Sequence, residues 1–198
     1  MMKTAIRKIK KKLSGHRGFS LGELLAATII LLLASQVMAE GVTFAVRMYN
    51  ETLTRSHGKQ LCSTLTNSIE TELRYATSIT YDENTGKLLT YFSPAYGQSK
   101  SSFLSIDSDD NEQDSGEIAI KATEDGRTVY RRLLSGASYS SFELKAKVEN
   151  VTYNEADNLF TVTLLITDRN NKEQVENTFN VIPINDLKIN QNGGQAAS

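Results

Sequence analysis

The sequence contains few of the residues from which most catalytic and metal sites are built. Its 198 residues include one cysteine, two histidines and two prolines. The single cysteine, Cys62, excludes a disulfide framework, a cysteine-based zinc site and a CxxC redox pair within this chain; we expect it to be buried as a small apolar side chain. Two histidines, His16 and His57, are too few for a histidine-rich metal site or a nucleophilic triad.

Phosphate-binding motifs are also missing, because neither GxxxxGK[ST] nor GxGxxG occurs. The paired carboxylates fall in acidic loops rather than in a recognisable acid–base arrangement. We therefore predict that the protein is not an enzyme, that it needs no cofactor and that it has no direct nucleic-acid site. With 39% hydrophobic and 23% charged residues, the composition predicts a folded chain rather than a disordered one.

Charge is divided unevenly along the chain, although the formal net charge is only -1. Seven lysines or arginines and no acid occur up to Gly18. All 23 acidic residues follow, together with only 15 of the 22 basic ones. A basic arm therefore precedes an acidic body, and such an arm is typical of nucleic-acid binding, membrane association or targeting.

An apolar run directly after the basic arm favours the membrane. Residues 19–39 form a stretch of 21 residues in which Glu23 is the only charge. A helix needs roughly 20 residues to cross the hydrocarbon core of a bilayer. Because flanking lysines and arginines stay in the cytoplasm, we predict a single-pass protein of the cytoplasmic membrane with its N-terminus inside and its C-terminal domain extracytoplasmic.

Three interpretations of this N-terminus compete. The first is a secretory signal peptide cut before Glu40, because Val37-Met38-Ala39 has the form of a cleavage site. The second is an uncleaved signal anchor. Either would make the protein an exported or membrane-anchored extracytoplasmic binding domain. Neither explains why the carboxylate of Glu23, which is costly in a membrane, lies where the apolar run begins.

The third interpretation comes from the sequence GFSLGE at residues 18–23, which runs directly into the apolar segment. Together with the basic leader, this stretch resembles the cleavage and methylation motif of type IV prepilins and type II secretion pseudopilins. The resemblance implies that prepilin peptidase removes residues 1–18, cutting between Gly18 and Phe19, and that it methylates Phe19. It also implies that Glu23 directs assembly by pairing with the N-terminal amine of a neighbouring subunit.

The same resemblance implies partners and a location. The expected partners are prepilin peptidase, other pilins or pseudopilins, the pilus assembly platform protein and membrane lipids, and the product is a pilus or pseudopilus at the cell surface. The order of elements is similar to the larger minor pilins or pseudopilins of the PilW or J type. Glu40-Gly41 stands where the family often has a proline, which favours a minor subunit. Whether the system serves adhesion, motility, DNA uptake or secretion stays open.

Helical spacing continues beyond the membrane-length segment. Apolar residues recur in steps of three and four, through Val42, Val46, Tyr49, Leu53, Leu61, Leu65, Ile69, Leu73 and Ala76. We predict one helix over residues 19–77, with 19–39 as its transmembrane part and 40–78 as its extracytoplasmic half. Gly41 and Gly58 are its weak points, where a local bend is a fair hypothesis, because glycine disfavours a helix by about 1 kcal/mol relative to alanine.

From residue 79 onward the apolar period changes to two. Alternation predicts a hairpin turn at Asp125-Gly126 and strands near residues 87–92, 118–121, 128–133, 142–148, 158–168 and 175–181. We therefore predict an antiparallel sheet domain over residues 79–185 and a mobile tail over 186–198. The fold class is α+β, in a pilin-like arrangement of one long N-terminal helix packed on an antiparallel sheet.

An acidic loop between two predicted strands offers a weak calcium candidate. Oxygen ligands recur at alternating positions in SIDSDDNEQDSGE, through Asp107, Asp109, Asn111, Asp114 and Glu117. An EF-hand loop needs glycine at its sixth position, where this chain has Glu112, so that motif is not met. The competing interpretation is a solvated acidic loop.

Overall fold

The computed structural model describes residues 20–92, 100–124 and 126–190. A long helix, α1, spans Leu21–Arg74, and a short helix, α2, spans Ala137–Ser140. The strands are β1 (Ser78–Tyr81), β2 (Leu88–Phe92), β3 (Ser101–Ile106), β4 (Glu112–Gln113), β5 (Glu117–Glu124), β6 (Arg127–Arg132), β7 (Lys145–Asn154), β8 (Leu159–Thr167), β9 (Glu173–Val181) and β10 (Lys188–Ile189). The chain divides into two compact units, of which the first ends at Tyr49 and the second begins at Asn50.

The first unit contains the N-terminal part of α1. Every described residue up to Tyr49 is exposed. The large apolar side chains among them are Leu21, Leu24, Leu25, Ile29, Ile30, Leu31, Leu32, Leu33, Val37, Met38, Val42, Phe44, Val46, Met48 and Tyr49. The helix passes Gly41 without interruption. This part of α1 therefore presents an apolar surface that the rest of the described chain leaves uncovered.

The second unit contains two sheets. One has the strand order β10-β1-β2-β3-β5-β6, with β4 paired to β3, and the other has the order β7-β8-β9. These strand pairs are antiparallel except for β1 and β10, which are parallel. The predicted α+β class and the long N-terminal helix are confirmed. The prediction of one purely antiparallel sheet is corrected, because the described strands form two sheets and one of them is mixed.

The C-terminal part of the chain closes the end of α1. The helix stops at Arg74 rather than at the predicted residue 77. The N–H of Ile184 donates to the carbonyl of Arg74 at 2.9 Å, and the Asn185 amide donates to the carbonyls of Tyr75 and Ala76. These bonds satisfy acceptors that a helix C-terminus otherwise leaves without partners.

Strand β10 follows the same segment and lies beside β1. Ser78 pairs with Lys188, and Ile79 pairs with Ile189. The predicted tail begins at residue 186 and includes these residues. The structure instead places Lys188 and Ile189 in the sheet, because the open side of β1 supplies backbone partners for them. The remainder of the predicted tail, residues 191–198, lies outside the described residues.

The core contains the second half of α1 together with residues of both sheets. The buried helix residues are Leu61, Leu65, Ile69 and Leu73, followed by Ala76 just beyond the helix end. The inward-facing residues of β8 are Phe160, Val162, Leu164 and Ile166, all fully buried in the same cluster. Both sets were predicted from their spacing and are confirmed. Cys62 is also buried, as expected of a small apolar side chain.

Gly58 lies where α1 approaches the three-stranded sheet closely. A Cβ atom at this position would lie 3.5 Å from the Val175 side chain and 3.8 Å from that of Ile166. Because glycine has no side chain, the two strands pack directly against the helix backbone. The helix continues through Gly58, and the structure uses this glycine for packing.

One prediction about the strands agrees with the structure, and a second needs a correction. The strands on either side of the predicted Asp125-Gly126 turn pair as expected, since Glu124 lies opposite Arg127; Asp125 itself lies outside the described residues. The strand predicted over residues 142–148 begins three residues later, at Lys145. A turn follows α2 there, and within it the ring of Phe142 stacks on that of His57 at a centroid distance of 3.4 Å. The side chain of Phe142, which the alternation pattern assigned to the strand, therefore packs against α1 instead.

Truncation of the buried stripe should destabilise the second unit. We expect Leu65→Ala to lower the free energy of unfolding by about 2–5 kcal/mol, because it removes buried methyl groups and leaves a cavity. Val46→Ala removes a side chain that is 52% exposed and should have little effect. Urea unfolding of the full chain in detergent, followed by circular dichroism, measures both. Equal losses for the two variants would contradict the assigned core.

Candidate functional site

The predicted processing site lies outside the described residues. Gly18 and Phe19, the residues assigned to cleavage and methylation, precede the first described residue, Ser20. Cleavage between them and methylation of Phe19 therefore stay predictions. Glu23, the residue assigned to assembly, lies in the first turn of α1.

Ser20 and Glu23 form a reciprocal cap at the start of α1. The N–H of Ser20 donates to Oε2 of Glu23 at 3.1 Å, and the N–H of Glu23 donates to Oγ of Ser20 at 3.2 Å. This geometry is the capping box, in which serine at the N-cap and glutamate three residues later satisfy each other's backbone donors. The spacing S-x-x-E in the sequence is the signal for this cap, and the cap adds a role to the assembly role predicted for Glu23.

The cap leaves part of the Glu23 carboxylate available. Both hydrogen bonds from Ser20 reach the same oxygen, Oε2. Among the described residues, no hydrogen bond to Oε1 is present. An ionised carboxylate accepts through both oxygens, so capping and a second partner are compatible. Its negative charge also lies at the positive end of the helix dipole, where it is favourable.

The hydroxyl groups along the exposed apolar part of α1 are satisfied within the helix. Thr28 Oγ1 donates to the carbonyl of Leu25 at 2.8 Å, and Ser35 Oγ donates to that of Leu32 at the same distance. A polar group without a partner is expensive in hydrocarbon. Because both hydroxyls donate within the helix, they add little to the free-energy cost of placing this part of α1 in an apolar environment.

The helix is long and apolar enough to cross a membrane, judged by length and composition. A signal sequence near an N-terminus meets the same criterion. The satisfied hydroxyls and the exposed apolar side chains agree with a membrane span, and the orientation of the chain across the bilayer stays a prediction.

The acidic loop has an internal hydrogen-bonding role. Oδ1 of Asp107 accepts the N–H groups of Asp109 and Asn111 at 2.8 and 2.9 Å, and Oδ2 accepts the side-chain amides of Asn111 and Gln113. Hydrogen bonds from the side chain and backbone of Asn111 hold the pKa of Asp107 below its ordinary value. The first candidate calcium ligand therefore organises the turn between β3 and β4.

Basic side chains compensate the neighbouring carboxylates. Arg132 pairs with Glu117 at 2.6 Å and with Asp110 at 2.7 Å, and it also donates to two loop carbonyls, those of Asp107 and Ser108. In the described part of the chain, no group of three or more His, Cys, Asp or Glu side chains is arranged to hold a metal ion. The structure thus does not bring Asp109 and Asp114 together with Asp107 as a ligand set.

Cys62 and His57 have packing environments on α1. Burial raises the pKa of the Cys62 thiol, which lowers its thiolate fraction and its reactivity. The His57 ring is stacked on Phe142. The described surroundings of these two residues account for their packing and do not indicate a nucleophilic role.

The hydrogen bonds to Asp107 should make the stability of the loop depend on pH. Because the pKa of Asp107 is lower in the folded state, its stabilising effect is present above the unfolded pKa, about 3.9, and is lost as the pH falls through the folded pKa. We expect the difference in unfolding free energy between wild type and Asp107→Asn to be constant above about pH 5 and to shrink below about pH 4.

Chemical denaturation at a series of pH values measures this difference. The matched control is Asp109→Asn, since no described residue donates a hydrogen bond to the Asp109 carboxylate. The control should show a smaller change over the same pH range. An equal dependence for both variants would contradict the role given to Asp107.

The chain matches no family model, no curated protein and no solved structure with which it was compared.

Proposed function

We propose that this protein is a structural subunit of a type IV pilus or a related pseudopilus. In this proposal prepilin peptidase cuts after Gly18 and methylates Phe19. The N-terminal part of α1 holds the chain in the cytoplasmic membrane and then packs against the corresponding helices of other subunits. A minor subunit is the form that the sequence favours.

The observation that supports this proposal most is the change of environment along a single helix. In α1, Leu31 and Met38 are 70% and 73% exposed, whereas Leu65 and Ile69 are fully buried. Exposed apolar surface costs about 25 cal/mol per Å² in water. A run of such side chains therefore favours lipid, or the helices of neighbouring subunits, as its surroundings.

The position of Glu23 supports assembly through charge pairing. A carboxylate at the edge of an apolar helix is costly unless it is paired. The N-terminal amine of a neighbouring subunit supplies the opposite charge, and in a low-dielectric helix bundle their attraction offsets the desolvation of both groups. The free Oε1 oxygen described above gives this amine an acceptor without breaking the helix cap.

The N-terminus of the mature protein tests the processing step. We expect the chain isolated from its native membrane fraction to begin at Phe19 and to be heavier than that sequence by one methyl group. Intact-mass measurement with N-terminal sequencing decides this. A chain that begins at Glu40 would overturn the proposal and support an exported binding domain with an ordinary signal peptide.

Two substitutions of Glu23 separate charge pairing from helix capping. Glutamine keeps the acceptor for the Ser20 N–H but lacks the charge, whereas alanine loses both. We expect Glu23→Gln and Glu23→Ala to be processed and to enter filaments poorly. Ser20→Ala loses a cap interaction of about 1 kcal/mol and should enter nearly normally.

Sheared filament fractions probed by immunoblot measure incorporation, and total membranes serve as the expression control. Normal incorporation of Glu23→Gln would remove the proposed charge role and leave Glu23 as a capping residue.

A further inference from the structure

We propose that the sheet domains of two copies of this chain associate head to tail, with β6 of one copy paired along β9 of the next. The inference rests on the proposed function for the presence of neighbouring copies, and it adds a contact between their second units. It follows from two of the strands at sheet edges, β6 in one sheet and β9 in the other, and from the charge that each carries.

The outer side of β6 has backbone groups available for pairing. Strands β5 and β6 pair in register from Glu124 opposite Arg127, and along an antiparallel pair hydrogen-bonded and non-hydrogen-bonded residue pairs alternate. The N–H of Leu133 donates to a β5 carbonyl at 3.0 Å, in keeping with this alternation. The N–H and C=O groups of Thr128 and Tyr130 therefore point away from β5. Within the described chain no strand lies beyond them.

The side chains of β6 lie over the sheet rather than across its outer edge. Charged side chains often protect an edge strand from pairing with another chain. Here two of the three arginines are held by carboxylates of β5, through Arg131–Glu124 and Arg132–Glu117, and Tyr130 donates to Glu112. Because these side chains are held by the sheet, they protect the β6 edge less against pairing with another chain. The edge is therefore accessible to an extended strand.

Strand β9 ends the other sheet in a similar way. Its side chains bond back toward β8, the adjoining turn and α1, through Gln174–Asp168, Asn177–Thr66 and Asn180–Thr161. No described strand pairs with its outer side. The strand spans nine residues, which is long enough to cover the six residues of β6.

Charge selects which edges pair. Strand β6 carries Arg127, Arg131 and Arg132 and no acid, whereas β9 carries Glu173 and Glu176 and no base. Two copies of β6 side by side would place arginines together, and two copies of β9 would place glutamates together, and like charges across paired strands are destabilising. Pairing β6 with β9 places opposite charges together. Charge therefore favours the head-to-tail contact over either two-fold one.

Three of these charges are available for a second copy. Among the described residues, Arg127, Glu173 and Glu176 take part in no ion pair, and all three are exposed. Because the two edges are different surfaces, each copy keeps one free edge after pairing. Such a heterologous contact extends into an open chain unless its rotation closes a ring, which suits a filament subunit.

Cysteine cross-linking of the full chain in detergent tests the contact. In a Cys62→Ala background, one preparation carries Thr128→Cys on β6 and another carries Glu176→Cys on β9. We expect a short thiol-reactive cross-linker to join the two in a mixture, and to give a ladder of oligomers when both cysteines are in one chain. The control replaces Glu176→Cys by Asp157→Cys, on the exposed turn between β7 and β8, and should give neither product.

Charge reversal then tests the stated selection. Arg127→Glu and Glu176→Arg should each lower the cross-linked fraction about two- to fivefold, the range expected from exposed ion pairs. For these variants, Thr178→Cys replaces the β9 cysteine at position 176. The chain carrying both reversals should recover, since the signs are again opposite.

The outcomes separate this inference from the proposed function. Absence of the mixed product in a chain correctly processed at Phe19 would overturn the edge contact alone. Cross-linked homodimers of the Thr128→Cys chain would also overturn it, because they indicate a two-fold β6 contact. A head-to-tail ladder from a chain that is not processed at Phe19 would retain the contact and overturn the pilin-type assignment.

Discussion

The packing of α1 on the three-stranded sheet is the interaction on which the rest of the second unit depends. Leu65, Ile69 and Leu73 face the buried side of β8, and Gly58 lets β9 reach the helix backbone. Each sheet face and each helix stripe needs an apolar partner, and here they supply one another. The C-terminal segment then closes the helix end through Asn185, so the second half of the helix is held both along its length and at its terminus.

The proposed function depends on the same helix. Its first part satisfies its own hydroxyls, caps its first turn through Ser20 and Glu23, and leaves its large apolar side chains exposed. These properties suit a segment whose surroundings are lipid and other helices. The sheet domain has a different surface, with basic and acidic edge strands and an acidic turn organised by Asp107. Under the proposed function, the helix would serve assembly and the strand edges would serve contacts between sheet domains, as separate physical tasks of the two units.

The candidate site was predictable only in part. Glu23 is identified by its place at the start of an apolar run, whereas its capping role has a separate signal, the S-x-x-E spacing with Ser20. The alternating acids of the β3–β4 turn resembled a ligand set. The fold instead directs the amides of Asn111 and Gln113 to Asp107 and brings Arg132 against Glu117 and two loop carbonyls. Arg132 lies 25 residues from Asp107 in sequence, and only strand pairing places them together.

Local periodicity determined much of this fold by itself. The helix stripe, the alternation of β8 and the turn at Asp125-Gly126 each follow from side-chain direction within a few residues. Three features depended on tertiary structure alone. Lys188 and Ile189 pair in parallel with β1, and the strands form two separate sheets. Phe142 lies outside the strand predicted for it and stacks on His57. These features join positions far apart in the chain, and no local period reports which distant backbone or ring will be the partner.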